Sequence, residues 1–330
     1  MKRQLNSPHT TSVVYPLQAS QVGHVMPFAR LLERRGSGRL WLGQSLGIET
    51  HHVFAALAGA GVHIPFGSSV ALSPLRHPYD AAVQARSIAQ LSGLPFVAGI
   101  GPGSKEFQSA VRPAPLAKPV TAAREYVRTM RALIDGETVH QDSGEHSTHA
   151  VFPVMDAPPV EYGLGVLRPA MARAAGEVAD VAITWLTPPP YIRDVLAPAL
   201  KEGAARSGRP VPRVATVVHA AVDRPGRYIP AVALAAARAH LSADHYTDML
   251  RRAGIPAYPS DPVTGARLLV ESGTFVAGTP EEIADGLDRY REHGVDEVVV
   301  NVCGVLNAHG LGAAVTDLTQ ILAAVDGRRA

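Results

Sequence analysis

Residues 62–107 constrain the fold of this chain more than any other stretch. They read VHIPFGSSVALSPLRHPYDAAVQARSIAQLSGLPFVAGIGPGSKEF. An apolar strand pattern over 62–72 enters a polar turn at 73–78. A helical pattern follows, with Ala82, Ala85, Ile88 and Leu91 at spacings of three. A second apolar run, 96–100, ends in Gly101, Pro102 and Gly103. Strand, loop, helix and strand in so short a span make a βαβ unit, which demands a parallel sheet covered on both faces. The second strand delivers a glycine-rich loop at its C-terminal end. Barrels and open α/β sheets alike bind ligands at that edge.

The same alternation runs through the rest of the chain. Strand patterns are predicted at 12–17, 40–42, 160–166, 181–185, 213–222, 275–278 and 296–302. Helical patterns are predicted at 25–35, 50–57, 121–135, 169–175, 190–207, 279–293 and 313–325, with one or two helices in the Ala- and His-rich segment 228–253. The helix at 121–135 is the clearest, with Ala123, Tyr126, Val127, Met130, Leu133 and Ile134 on one face. Thr279, Pro280, Glu281 and Glu282 supply an N-cap, a first-turn proline and an acidic first turn. Residues 136–159 are polar and rich in His and Pro, and read as an excursion from the core. Strand–helix alternation over 330 residues predicts an α/β fold, a (β/α)₈ TIM barrel with insertions, with a doubly wound sheet as the alternative. No composition break marks a linker. The expectation is one domain over 1–330, with a polar insertion around 136–159 and a helical insertion around 228–274.

Composition excludes several classes of function. A formal net charge of +2 and scattered basic residues give no reason to expect a nucleic-acid partner. No window approaches the length of apolar sequence that spans a bilayer, so no membrane partner is expected. The first residues include two basic side chains but no apolar run of leader-peptide length. The single cysteine, Cys303, excludes an intrachain disulfide and a multi-cysteine metal site. The expected compartment is the reducing cytoplasm. No HExxH is present, and the adjacent His51 and His52 would point about 100° apart on a helix, so no metal is expected.

Several segments, in order, resemble one known family. LWLGQ, AALAG, VALSPLRHPYDAAVQARSIAQLSG, VAGIGPGSKEF and AREYVRTMRALIDGETV are similar to stretches of the luciferase-like monooxygenase superfamily, as are PAMARAAGEVAD, ITWLTPPP and FVAGTPEEIADGLDRYREHGVDEVVV. The resemblance implies a TIM barrel that uses either flavin mononucleotide (FMN) or the deazaflavin coenzyme F420. The AGEVAD and ITWLTP segments are most similar to the F420 branch. Within it, WLGQSLGIETHHVFA and PLRHPYDAAVQARS are similar to reductases that convert dehydroalanine to D-alanine in ribosomally made, lanthipeptide-type peptides. The implied partner is a small-molecule or modified-peptide substrate, and the implied assembly a homodimer.

The resemblance also assigns candidate residues. Ser69 and Val70 match a non-proline cis peptide that backs the coenzyme ring. Gly101 and Gly103 give the ring or substrate close backbone approach; plain turns use such glycines too. The segment Gly165, Val166, Leu167 and Arg168 matches the phosphate loop before a helix N-terminus, with Arg168 where glycine is typical. Thr184 and Trp185 flank the same pocket, Trp185 with core packing as its alternative. Gln44 stands where many relatives carry Asp. It can bond the ring edge but cannot act as a base. Ser104 stands where several relatives carry a glutamate acid; Glu106, two residues on, could substitute for it but reads first as an exposed helix-starting residue. Glu49, His51 or Tyr79 is left to supply the proton that follows hydride transfer. Ser104 and Gln44 keep open a non-catalytic cofactor-binding protein as a further alternative, beside an FMN-dependent monooxygenase.

Overall fold

A computed structural model describes residues 10–142 and 144–328. The basic start of the chain, where no leader is predicted, lies largely outside them. In chain order the first elements are β1 (Thr10–Val14), α1 (Val22–Arg35), β2 (Leu40–Leu42), α2 (Thr50–Gly59), β3 (Phe66–Ser68), β4 (Ala71–Leu72), α3 (Pro78–Ser92), β5 (Phe96–Gly101), α4 (Lys105–Val111) and α5 (Pro119–Ile134). The middle holds β6 (Val139–Gln141), β7 (Thr148–Ala150), β8 (Val160–Gly165), α6 (Pro169–Val178), β9 (Val181–Trp185), a short turn α7 (Pro189–Tyr191), α8 (Ala197–Ser207) and β10 (Arg213–Val222). The last part holds α9 (Ile229–Leu241), α10 (Asp244–Arg252), α11 (Pro262–Glu271), β11 (Val276–Gly278), α12 (Pro280–Glu292), β12 (Glu297–Asn301) and α13 (Cys303–Gly327).

Parallel pairing runs β1–β2–β3–β5–β8–β9–β10–β12 and returns from β12 to β1, so the sheet closes on itself. This is the predicted (β/α)₈ barrel. Strand parity divides the core. Val14, Trp41, Val97, Val181, Ile183, Val217 and Val299 pack together inside the barrel. Their strand neighbours, such as Leu40, Leu42, Phe66, Phe96, Ala98 and Ala182, join the larger core under the helices. Glycines admit close packing inside the barrel. A Cβ on Gly163 would lie 2.7 Å from Ile183 Cδ1, and one on Gly99 would lie 2.0 Å from the Ser68 carbonyl oxygen.

Local chemistry sets the helix ends. Gly36 closes α1 in the left-handed region at φ 74°. Thr279 and Glu282 form a reciprocal capping box at the start of α12, an arrangement in which the N-cap alone stabilises by about 1 kcal/mol. The apolar run at 62–72 does not form one strand. It divides into β3 and β4 around a cis Ser69–Val70 peptide bond. Two helices take shape where only a helix-starting residue, Glu106, and a broad helical insertion were predicted, α4 and α11. Their starts carry short side-chain caps, Ser104 and Asp261. The last helix begins at Cys303 and kinks at Gly310, ahead of the predicted start.

Two excursions leave the strand–helix alternation. Residues 136–159 contain the antiparallel hairpin β6–β7. The helical excursion contributes α9, α10 and α11, followed by β11, which pairs with the C-terminal end of β10.

The N-terminal end of the barrel is closed by charge. Glu297, 3% exposed, accepts from Ser12 Oγ at 2.6 Å, Trp41 Nε1 at 2.7 Å and Arg213 Nη1 at 2.8 Å. Arg213 also reaches Glu161 at 2.7 Å, and the buried Arg39 lies between Glu161 and Glu297. Burial pushes the Glu297 carboxyl up, but Arg39 and Arg213 outweigh it and hold the group below its ordinary value.

Candidate active site

The C-terminal end of the barrel is built differently. Trp185, His219 and Asn301 come from β9, β10 and β12, three neighbouring strands. Their parity is inward: Trp185 follows Val181 and Ile183, His219 follows Ala215 and Val217, and Asn301 follows Val299. His219 and Asn301 are register partners and each is 1% exposed. Among the described residues, Trp185 Nε1, both His219 ring nitrogens and Asn301 Nδ2 are covered yet have no hydrogen-bond partner. Asn301 Oδ1 accepts from the Cys303 backbone at 2.9 Å, which orients its amide. The helical excursion adds His240, whose ring stacks on Trp185 at 5.5 Å and meets Tyr246 edge-on at 4.7 Å. His240 Nδ1 is also covered and unpartnered. Buried donors left without partners cost roughly 1–3 kcal/mol each, so a group of them on neighbouring strand ends marks a candidate ligand site.

The electrostatics are uniform. Burial drives His219 down to about 3, with His240 a smaller cause, and drives His240 down to about 4, with His245 a smaller cause. Both rings are therefore neutral at pH 7 and present N–H donors and lone pairs without net charge.

On the opposite side of the mouth, Val70 packs against the interior cluster. Its side chain fills the space in front of Gly101, where an added Cβ would lie 2.5 Å from Val70 Cγ2, and lies 3.5 Å from a Cβ on Gly165. Gly101 therefore makes room for Val70 first. Gly103 adopts φ 71° against Phe107. Ser69 Oγ is another covered atom without a partner. Val166 is tied to β9 by its backbone bond to Ile183 (2.7 Å), and the Leu167 carbonyl accepts from Tyr191 Oη at 3.4 Å. Together they hold Arg168 at the start of α6, where its guanidinium pairs with Asp248 of α10 at 2.9 Å.

Several predicted residues lie elsewhere. Thr184 has outward parity between Ile183 and Trp185, and its hydroxyl donates to Thr216 at 2.9 Å. Gln44 has its amide occupied: Nε2 donates to the Ser45 carbonyl, and Oε1 accepts from Leu72 N and Arg76. Glu49 caps α2 and meets Arg76 at 2.9 Å and His51 Nδ1 at 3.0 Å. Burial raises its carboxyl, but the His51 bond and charge, with Arg76, bring it to about 2. Such a carboxylate is ionised at neutral pH and has no proton to give. His51 lies under Arg76 with its ring against Phe54 and Phe96, in the layer between barrel and helices. Tyr79 is 43% exposed and rests on Phe152 of the polar excursion. The contacts of Glu49 and His51 are thus with Arg76 and the start of α2, and that of Tyr79 is with Phe152. Ser104 serves as the cap of α4. Cys303 is buried, which raises its thiol to about 11.

His219, His240 and Asn301 escape a reading that looks for histidines near acids. Period-two parity could have found two of them, because a polar residue ends each apolar run, Val-Val-His and Val-Val-Val-Asn, on the inward face.

The sequence and the fold both match known proteins. Residues 3–297 match the family model for luciferase-like monooxygenase. An uncharacterised protein of Mycobacterium tuberculosis is 27% identical over a region that spans 58% of this chain and 58% of that protein. The 5,10-methylenetetrahydromethanopterin reductase of Methanopyrus kandleri is 23% identical over 72% of this chain and 76% of its own length. Among solved structures, the coenzyme F420-dependent tetrahydromethanopterin reductase of Methanopyrus kandleri superposes with a TM-score of 0.73 at 20% identity, over 95% of this chain and 97% of that one. A type II Baeyer–Villiger monooxygenase component from a Pseudomonas putida plasmid, in complex with FMN, gives 0.72 at 15% identity, over 98% of each chain. At these identities the structural likenesses speak to the fold.

Proposed function

This chain belongs to the luciferase-like monooxygenase family, and on that premise we propose that it is a reductase using the reduced deazaflavin coenzyme F420. The observation that carries the reading is the set of covered, uncharged and unpartnered polar atoms at the C-terminal end of the barrel, where Val70 and Trp185 pack against the same interior cluster. A planar polar coenzyme lying against Val70 has Ser69 Oγ and the backbone at Gly101 and Gly103 within the same edge of the barrel. The start of α6 and Arg168 suit its phosphate: exposed N–H groups and a guanidinium both favour an anion. The residues present therefore fit the group.

When bound, the reduced coenzyme supplies a hydride. The chain's own part is to orient the acceptor, keep water out and bond the oxygen on which charge develops. The proposed acceptor is an electron-poor C=C bond beside a carbonyl. Dehydroalanine in a ribosomally made, modified peptide is the member of that class the sequence resemblance points to. The FMN-bound structural neighbour supports a second reading, an FMN-dependent monooxygenase.

Titration of the protein with oxidised coenzyme F420 and, separately, with FMN separates the two readings. Absorbance and fluorescence should report saturable micromolar binding of the deazaflavin and weaker binding of FMN. Tight binding of FMN alone would overturn the proposal.

A further inference from the structure

The donors on β9, β10 and β12 have a narrower use than binding in general. His219 is 1% exposed and, among the described residues, neither of its ring nitrogens has a hydrogen-bond partner; burial is the larger cause of its lowered pKa and His240 the smaller. His240 in turn feels burial and His245. A substrate carboxylate or phosphate entering here would be desolvated among groups that are uncharged at pH 7, which is strongly unfavourable. An uncharged carbonyl meets the opposite situation. Its oxygen finds N–H donors that are buried, preorganised and have no competing partner to leave.

We infer that Trp185 Nε1, His219 and Asn301 Nδ2 form a binding site for the oxygen of an uncharged amide or ketone carbonyl, and that this site selects the substrate against carboxylates. The inference rests on the reductase reading above. In that reaction the β-carbon of the C=C bond would gain a hydride, which the reduced deazaflavin would supply as it is oxidised. The C=C electron pair moves toward the carbonyl oxygen, and the α-carbon then takes one proton. The negative charge passes through the oxygen that these three groups would bond. Phe275 lies parallel to His219 at 6.4 Å and holds the plane of the imidazole, while the Cys303 backbone holds that of the Asn301 amide.

The test uses 2-cyclohexen-1-one as the uncharged carbonyl and crotonate as its carboxylate counterpart. Three variants are compared with wild type: Trp185→Phe, His219→Phe and His219→Gln, the last retaining a donor. The first readout is the infrared carbonyl stretch of the bound ketone, measured with oxidised coenzyme present. The band should lie at lower frequency in wild type than in water-free solvent, and should move back in Trp185→Phe and His219→Phe. The second is kcat/KM for ketone reduction, expected to fall about 100-fold in His219→Phe and to recover in part in His219→Gln. The third is the Kd for oxidised coenzyme F420, expected to stay within about twofold throughout. Crotonate should neither bind nor oxidise the reduced coenzyme.

A coenzyme Kd that rises tenfold in His219→Phe, with an unmoved carbonyl band, would assign these donors to the coenzyme and overturn the inference. Equal turnover of crotonate and the ketone would also overturn it. Failure of the reductase reading looks different: wild type would shift the carbonyl band yet not bind the deazaflavin.

Discussion

At the N-terminal end of the barrel Glu297 is almost fully buried and is bonded by Ser12, Trp41 and Arg213; at the C-terminal end His219 is equally buried and bonded by nothing among the described residues. Both ends are lined from the same strands, β10 and β12 among them, a few residues apart. The floor buries ions and matches them with counter-charge and hydrogen bonds, only Arg39 Nε among the described atoms of this network lacking a bond, 3.8 Å from Glu297. The mouth buries neutral groups and leaves their donors open. A protein that folds with such donors unsatisfied gives up stability that a bound ligand can restore. The floor is thus the part to which the barrel owes its closure, and the mouth the part available for chemistry.

The largest expected effect breaks the floor. Glu297→Ala removes the acceptor shared by Ser12 and Trp41 and strips Arg39 and Arg213 of a partner. Removing one member of a buried pair typically costs about 3–5 kcal/mol. Urea unfolding should show a loss of that size. A loss under about 1 kcal/mol would mean that the floor is no more committed to stability than the mouth.

How far this contrast is legible in the sequence depends on what each region is made of. The barrel is legible because its strands are apolar runs separated by helices with recognisable caps; β2, β9 and β10 fall where the apolar runs place them. The cis Ser69–Val70 bond agrees with the resemblance. The mouth is less legible because its members come from distant segments, and parity, not spacing, brings them together. Glu49 and His51 sit side by side in IETHH and invite a catalytic reading. Arg76, 25 residues beyond His51, closes on both of them and turns the group into a clamp under α2 and α3. Gln44 and Thr184 mislead for the same reason: a polar side chain at a strand end can be spent on a neighbouring loop or on the outer face.

A second expected effect is smaller and concerns acid. His219 and His240 fall from 6.5 to about 3 and about 4 because burial penalises their charged forms. Between those values and pH 6.5 the unfolded chain binds more protons than the folded one, so stability is complete above pH 6.5 and declines as pH falls. Glu49, lowered to about 2 from 4.5, contributes stability above 4.5 that is lost only below it. His219→Phe should therefore flatten the decline between pH 7 and pH 5, by roughly 1–2 kcal/mol, while leaving the loss below pH 4.5 in place. At pH 7 it should be no less stable than wild type, since it removes two covered atoms that have no partner. Unfolding curves measured at pH 7, 6, 5 and 4 test this. A variant that retains the full decline would place the acid sensitivity outside the mouth.

The smallest effect concerns the charged rim beside the mouth, where the contrast between spent and open groups is drawn within one residue pair. Arg168 Nε lies 2.9 Å from Asp248 Oδ2, and Asp248 also takes Arg252 Nε at 2.8 Å. Arg168 is 46% exposed, and ion pairs so well hydrated contribute little to stability. Their weight falls on binding instead, because Asp248 competes for the guanidinium with any phosphate arriving at the start of α6. Asp248→Asn should leave thermal unfolding unchanged and tighten the binding of a phosphate-bearing coenzyme about threefold, while Arg168→Ala should loosen it about tenfold. Both changes should shrink as salt is raised, since the pair lies in solvent and is screened. Fluorescence titration of coenzyme F420 at low and high ionic strength measures them. If Asp248→Asn weakens binding, the Asp248 contact serves to aim Arg168 at the ligand, and the rim is organised like the floor, with its charge committed to structure.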